Sequence, residues 1–281
     1  MIHIDIFIAI YHYNDKSSIR YEVTEKNFKH YINIKNKFAD RAKFTFTIVG
    51  SEKEHSKELT LKYFNEDEYF EFDQEDSKYE NNFWAMFTAK LKYGMKQSSS
   101  KNADICLWVG SNDIFNFDFF EQIINYYNPN KPQVYGIDNF YNGNNAICFF
   151  IYNKQFVDIT NDNDPNIFWW DGVSDYCGRK RFKYAAGGIG INKKLYNNHN
   201  IIDRWHYDEG LVEEMCLKIP EIDKFQSNKV FYFNIKFNGK LELTSFEKLR
   251  HNSHHNIIKF NSIDSMMSDK IKQFYEYFNN L

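Results

Sequence analysis

The chain has 281 residues, long enough for one large domain or two small ones, and a chain of this size buries about 75% of the surface its unfolded form exposes. Hydrophobic residues make up 43% and aromatics 19%, including 28 Phe and 20 Tyr, which excludes a disordered chain. The 35 basic and 38 acidic residues are well mixed and leave a net charge of -3, so nothing in the overall balance calls for a nucleic-acid partner, although a local basic patch and a nucleic-acid acceptor are left open.

Taken in chain order, the first half alternates short apolar runs with longer segments of helical period, the pattern of an α/β layer with a mainly parallel sheet. Strands are predicted at Ile2 to Tyr11, Phe44 to Val49, Tyr69 to Phe72, Ile105 to Val109 and Val134 to Ile137. Helices are predicted at Thr24 to Ala39, with Phe28, Ile32, Ile34 and Phe38 on one face, and at Tyr79 to Met95, with Phe83, Met86, Phe87, Leu91 and Met95. A third, Asp118 to Tyr127, is stopped near Pro129 and Pro132. After about residue 140 the alternation fails, leaving strand-like runs at Ala146 to Tyr152 and Val230 to Ile235, a Trp-rich segment at Phe168 to Trp170, and a Gly-rich turn. No internal repeat or long low-complexity tract is present, so the expectation is a single domain, 1–281, with a functional division near residue 140.

Cys106, Cys148, Cys177 and Cys216 form no CxxC pair and sit mostly in apolar neighbourhoods, which reads as reduced thiols and a cytoplasmic protein. The apolar stretch Ile2 to Tyr11 is too short to span a bilayer, carries Asp5 and lacks a signal's cationic start, so it reads as the first strand. No other segment approaches membrane-spanning length. The Phe- and Tyr-rich composition permits a homodimer.

In open α/β sheets ligands bind outside the carboxyl ends of the strands. Here those ends are Tyr11-His12-Tyr13, Gly50-Ser51, Phe72-Asp73 and Gly110-Ser111-Asn112-Asp113. Aromatic faces for a base, hydroxyls and carboxylates for a ribose, and oxygens for a hard cation would then share one cleft. Adjacent oxygen-bearing side chains at a strand end suit Mg²⁺ or Mn²⁺. Asn112 and Asp113 can equally serve as an N-cap or Asx turn before the next helix, and Tyr11 or Tyr13 can be ordinary packing.

A second constellation runs Lys183-Tyr184-Ala-Ala-Gly187-Gly188-Ile-Gly190-Ile-Asn192 into a short helix; its glycines would let backbone approach a bulky ligand and the helix start would donate amides to an anion. Within twenty residues follows Trp205-His-Tyr-Asp208-Glu209, a carboxylate pair that can act as general base or simply favour a helix dipole. The third is Arg250-His251-Asn-Ser-His254-His255, the densest histidine cluster, whose imidazoles could complete a metal site or lie exposed on a loop. HExxH, Walker A, zinc-finger and GxSxG patterns are absent.

Read in order, these stretches resemble glycosyltransferases of the GT-A fold, family 2-like enzymes of viral or bacterial type. Leu107-Trp-Val-Gly-Ser-Asn112-Asp113-Ile looks like the family's Asp-x-Asp-type segment, Ala186 to Leu195 like its acceptor-side Gly-rich segment, and Trp205 through Gly210 like its acidic catalytic segment; the likeness reaches Ile235 to Gly239 and Leu243 to Phe246. It departs where Gly110 and Asn112 stand in place of carboxylates and where Gly50-Ser51 replaces an acidic residue. The resemblance implies a GT-A sheet whose first half, 1–140, binds a nucleotide-sugar, probing it through Tyr11, His12, Tyr13, Asp73, Ser111 and Asn112. The second half, 141–281, would bind a hydroxyl-bearing acceptor through Gly187, Gly188, Trp170 and Trp205, with Trp169 beside them. It implies a UDP-sugar donor, Mn²⁺ or Mg²⁺ held by Asp113, Asn112 and His254, and Glu209 or Asp208 as base for an inverting transfer, a retaining outcome being left open. A catalytically silent nucleotide-sugar-binding module and a nucleotidyltransferase are the alternatives.

Overall fold

The computed structural model describes residues 1–10, 19–51, 55–72, 83–97, 102–138, 145–151, 167–170, 184–199, 219–225, 227–236, 257–258 and 265–281. A seven-stranded sheet forms the centre. Its first four strands in sequence, β1 (Ile2–Ala9), β2 (Ala42–Gly50), β3 (Tyr69–Glu71) and β4 (Ile105–Gly110), stand side by side in the order β3-β2-β1-β4 and run parallel. They are near-continuous apolar runs because both faces are covered: Ile4, Ile6 and Ile8 of β1 face one helical layer while Phe7 and Ala9 face the other. The four strands predicted here, and β6 (Gln133–Asp138) after them, fall where the apolar runs placed them, each within two residues.

One layer is α1 (Ile19–Lys37) and α4 (Phe117–Tyr126), packed on Ile6, Phe46, Leu107 and Tyr135 through Phe28, Tyr31, Phe119 and Ile123. The other is α3 (Phe83–Met95) with the short α5 (Lys193–His199), packed on Phe7, Val49, Trp108 and Ile191 through Leu91, Met95 and Leu195. On α3, a Cβ at Gly94 would lie 2.0 Å from the Phe7 ring, so glycine is what lets this helix settle on β1. The six-residue α2 (Ser56–Leu61) follows β2, and a Cβ at Gly50 would meet Ser56 Oγ at 2.1 Å.

The second half of the chain completes this sheet. The Gly-rich segment expected as a turn is instead a strand, β9 (Tyr184–Asn192), inserted antiparallel between β4 and β6, with β10 (Asp223–Lys224) on the edge beyond β6. Gly190 serves close packing inside the sheet layer: a Cβ there would meet Leu107 Cδ1 at 3.1 Å and the Cys106 carbonyl at 3.3 Å. Asn192 closes the strand, its Oδ1 accepting from Gln133 N and Leu195 N while Nδ2 donates to Asn128 O and Lys131 O.

A five-stranded sheet, ordered β12 (Ile257–Ile258), β8 (Ile167–Trp170), β7 (Ala146–Ile151), β11 (Phe231–Lys236), β5 (Asp113–Phe115), stands beside the first. The C-terminal helix α6 (Ser265–Asn279) covers it, packing Met267, Ile271, Phe274 and Phe278 on Phe231, Phe233 and Cys148. Cys106 and Cys148 are buried, and burial holds the Cys148 thiol well above the ordinary range. Among the described residues no helix is long and apolar enough to cross a membrane.

Candidate functional site

From β1 the chain builds β2 and β3 to one side and then returns to place β4 on the other, so the strand order reverses between β1 and β4. A crevice forms at such a switch point, outside the carboxyl ends of the flanking strands. Here those ends are Ile10, which follows β1, and Gly110 to Asp113, which follow β4; Ala9 pairs with Gly110 across them.

At Ser111 and Asn112 the chain leaves the first sheet and enters the second. Asn112 fastens the crossing: its carbonyl accepts from Ile235 N at 3.1 Å and its Nδ2 donates to Ile235 O at 2.9 Å. From behind, Asn27 of α1, fully buried, donates its Nδ2 to the carbonyls of Gly110 and Ser111. Asp113 opens β5 opposite Asn234 of β11, whose Nδ2 donates to Asp113 Oδ1 at 2.6 Å. Tyr31 donates its phenol to the Asp113 carbonyl; burial, and next the Asp113 charge, hold that phenol well above its usual range, so it stays neutral. The cap of α4 falls to Asn116, so Asn112 and Asp113 are not the N-cap that their sequence also allowed.

One oxygen of each side chain lies near the space a side chain at Gly110 would occupy. A Cβ built on Gly110 would lie 2.3 Å from Asp113 Oδ2 and 3.1 Å from Asn112 Oδ1. A side chain at the position that the resemblance counts as a lost carboxylate would therefore have to push the Asp113 carboxylate aside. Beside it, Asn234 Oδ1 is buried with no hydrogen-bond partner among the described residues. A carboxylate, an amide oxygen and a neighbouring unsatisfied amide oxygen are the hard donors that suit Mg²⁺ or Mn²⁺, ions that keep part of their coordination for phosphate and water. Among the described residues no three His, Cys, Asp or Glu side chains gather in a way that could hold a metal, at this strand end or anywhere else.

Of the other predicted residues, Ser111 is buried at the crossing. Gly188 lies opposite Val109 on β9, beside the carboxyl end of β4, with Gly187 next to it in the same strand. Trp170, with Trp169 before it, is on β8 of the second sheet, paired with Ile147 and Ile257. The helix expected to offer amides after the glycines is only seven residues long, and its first amides are spoken for: Lys193 N donates to Asp104 O and Leu195 N to Asn192 Oδ1. Tyr11, His12, Tyr13, Asp73, Trp205, Asp208, Glu209 and His254 lie outside the described residues.

Sequence reasoning missed Asn27 and Asn234. Asn234 did leave a signal, being the one polar residue inside Phe231-Tyr-Phe-Asn-Ile235. Asn27 stands in a helix where an amide reads as solvent-facing.

No family model matches this chain, and no curated protein does. Solved structures similar to it include a protein provisionally described as a nucleotide-diphospho-sugar transferase from Desulfovibrio desulfuricans G20, at 10% identity and a TM-score of 0.39, covering 99% of this chain and 97% of the other. The inositol-1-phosphate CTP transferase of T. maritima is similar at 10% identity and 0.42, covering 88% and 96%. The galactosyltransferase LgtC is similar at 14% identity and 0.38, covering 78% and 72%. At these scores the overlays carry no argument about activity, which rests on the residues above.

Proposed function

We propose that this chain is a glycosyltransferase of GT-A type, moving a sugar from a nucleotide-sugar, a UDP-sugar in the first instance, to a hydroxyl acceptor. The observation that supports this reading is the convergence of Asp113 Oδ2 and Asn112 Oδ1 over Gly110 at the β1–β4 switch point. Asp113 and Asn112, with Asn234 beside them, would hold Mn²⁺ or Mg²⁺; when bound, the cation neutralises charge on the departing diphosphate. Asn27 Nδ2 holds the backbone carbonyls of Gly110 and Ser111, while the bonds from Asn112 Nδ2 to Ile235 O and from Asn234 Nδ2 to Asp113 Oδ1 orient the two side chains before the donor arrives.

In the transfer the acceptor hydroxyl gives its proton to Glu209, with Asp208 as the neighbouring choice, as its oxygen forms a bond to the sugar's anomeric carbon. The bond from that carbon to the phosphate oxygen breaks in line, releasing a nucleoside diphosphate and inverting the centre. Tyr11, His12, Tyr13, Asp73 and Ser111 are assigned to the nucleotide, and Trp170, Trp205, Gly187 and Gly188 to the acceptor. His254 is a further candidate ligand for the cation.

The test is a product-release assay with UDP-, GDP- and CDP-sugars, with and without Mn²⁺, on the wild type and Asp113→Ala. Release of nucleoside diphosphate that the variant loses supports the proposal. Donor binding without release from any sugar would leave a silent binding module, and pyrophosphate released from a nucleoside triphosphate would indicate a nucleotidyltransferase.

A further inference from the structure

Three polar side chains of α1 are fully buried, Asn27, His30 and Tyr31, and their i, i+3, i+4 spacing puts them on one face of the helix. Packing alone does not require them, since Phe28 and Ile34 already give α1 its apolar contact with the sheet. A buried amide, imidazole and phenol each need a partner. All three reach main-chain carbonyls of the stretch 110–115. Asn27 Nδ2 donates to Gly110 O at 3.3 Å and to Ser111 O at 3.0 Å, Tyr31 Oη to Asp113 O at 3.2 Å, and His30 Nε2 to Phe115 O at 2.7 Å.

Strand geometry explains the meeting. Carbonyls along a strand point alternately to either side, and β5 lies at the edge of the second sheet with β11 on one flank. Asn112 O turns to β11 and accepts from Ile235 N, so the carbonyls of Asp113 and Phe115 turn to the other flank, where Tyr31 and His30 meet them. The helix therefore grips the backbone on either side of Asn112 and Asp113, while β11 grips their side chains through Ile235 O and Asn234 Nδ2. A peptide rotation that swings either oxygen away from Gly110 has to break a bond to α1. The helix is itself pinned: Lys26 Nζ donates to Phe278 O and Asn279 O, and Lys29 Nζ to Leu281 O, so two lysines one turn apart tie it to the C-terminal end of α6.

We propose that Asn27 and Tyr31 are positioning residues of the donor site, acting through the main chain at 110–113 to hold the Asn112 and Asp113 oxygens where the diphosphate and its cation are received. Resting on the donor site proposed above, this role makes α1 the element that sets the geometry of that site. Both side chains are buried and act on the donor only through the backbone they hold. His30 secures the far end of β5 in the same way.

The experiment is calorimetric titration of UDP, GDP and CDP in Mn²⁺, with urea unfolding alongside, on wild type, Tyr31→Phe, Asn27→Leu and Asn192→Ala. Tyr31→Phe removes one hydroxyl, and Asn27→Leu removes the amide donors at nearly constant volume. Asn192→Ala is the control for lost stability, because Asn192 faces Ile105 at the amino end of β4, about 17 Å along the strand from Gly110. The nucleoside diphosphate that wild type binds should be weakened about threefold or more in Tyr31→Phe and about tenfold or more in Asn27→Leu. Asn192→Ala should bind as wild type does although it unfolds at lower urea. A folded Tyr31→Phe or Asn27→Leu that binds as tightly as wild type overturns the positioning role and leaves the donor site standing. So does an Asn192→Ala that weakens binding as much as they do, since lost stability then accounts for the whole effect. Should Asn27→Leu not fold, Tyr31→Phe decides alone. Wild type that binds no nucleoside diphosphate overturns both this inference and the donor site.

Discussion

Acidification should loosen the C-terminal helix through one side chain, His30. It is fully buried in α1, with Nε2 donating to Phe115 O at 2.7 Å and Nδ1 accepting from the Tyr277 hydroxyl at 3.0 Å, while that hydroxyl accepts from Asn33 Nδ2. The rings of Phe117, Phe274, Tyr277 and Tyr31 surround it at 5.1 to 5.6 Å. This arrangement suits the neutral imidazole. Burial pushes its pKa down from 6.5 to about 4, with the Phe115 carbonyl opposing the shift. Because the folded value is depressed, the unfolded chain takes up a proton first: the contribution is complete above pH 6.5 and is lost as pH falls from 6.5 to 4. At about 1.4 kcal/mol per pH step between those limits, the loss approaches about 3 kcal/mol below pH 4.

Urea unfolding of wild type and His30→Gln between pH 7.5 and 4 isolates this term, since every other titrating group is common to both. Wild type should start more stable, and its advantage should shrink by about 3 kcal/mol across the window, about 2 of it by pH 5. A wild-type-minus-variant difference that stays flat within about 1 kcal/mol would show that His30 charges without cost, and so refute the linkage. An imidazole titrating above pH 6 by NMR would do the same.

Three substitutions test the site and its frame. Gly110→Ala would place a methyl 2.3 Å from Asp113 Oδ2; the carboxylate must swing away, so nucleoside diphosphate release should drop at least about tenfold while melting shows a loss of about 1–3 kcal/mol. In Asn234→Leu the 2.6 Å bond to Asp113 Oδ1 disappears, and a buried carboxylate left short of a donor should cost about 1–3 kcal/mol in denaturant unfolding. Asn192→Ala removes contacts to Gln133, Leu195, Asn128 and Lys131 at once. It should cost more than Lys270→Ala, whose half-exposed pair with Asp118 on α4 contributes about 1 kcal/mol or less; equal melting temperatures for the two would contradict this.

The first half of the fold was legible because buried parallel strands must be apolar on both faces, while α1 and α3 must repeat with helical period. Phe28 and Phe38, or Leu91 and Met95, announce their helices for that reason. The second half was legible only at β7, β11 and the short helix α5 that follows the glycines. Three glycines hid β9, since glycine signals a turn wherever nothing shows the neighbours that require it. At Gly190 the neighbours are Leu107 and the Cys106 carbonyl, 83 and 84 residues earlier in the chain. His30 and Asn27 were hidden by the opposite rule, a polar residue in a helix being read as solvated.

The candidate site joins both failures. Read along the sequence, Gly110-Ser111-Asn112-Asp113 is a metal motif that has lost ligands, because ligands are counted by position. In three dimensions Gly110 is the residue that admits the others, as its missing side chain leaves the space where the Asn112 and Asp113 oxygens meet. The amide that positions Asp113 comes from Asn234, 121 residues later, on a strand whose pairing with β5 no local pattern announces. A motif with fewer carboxylates than expected is then not yet a weaker site. Its strength depends on what the neighbouring strands add, and here β11 adds an amide oxygen.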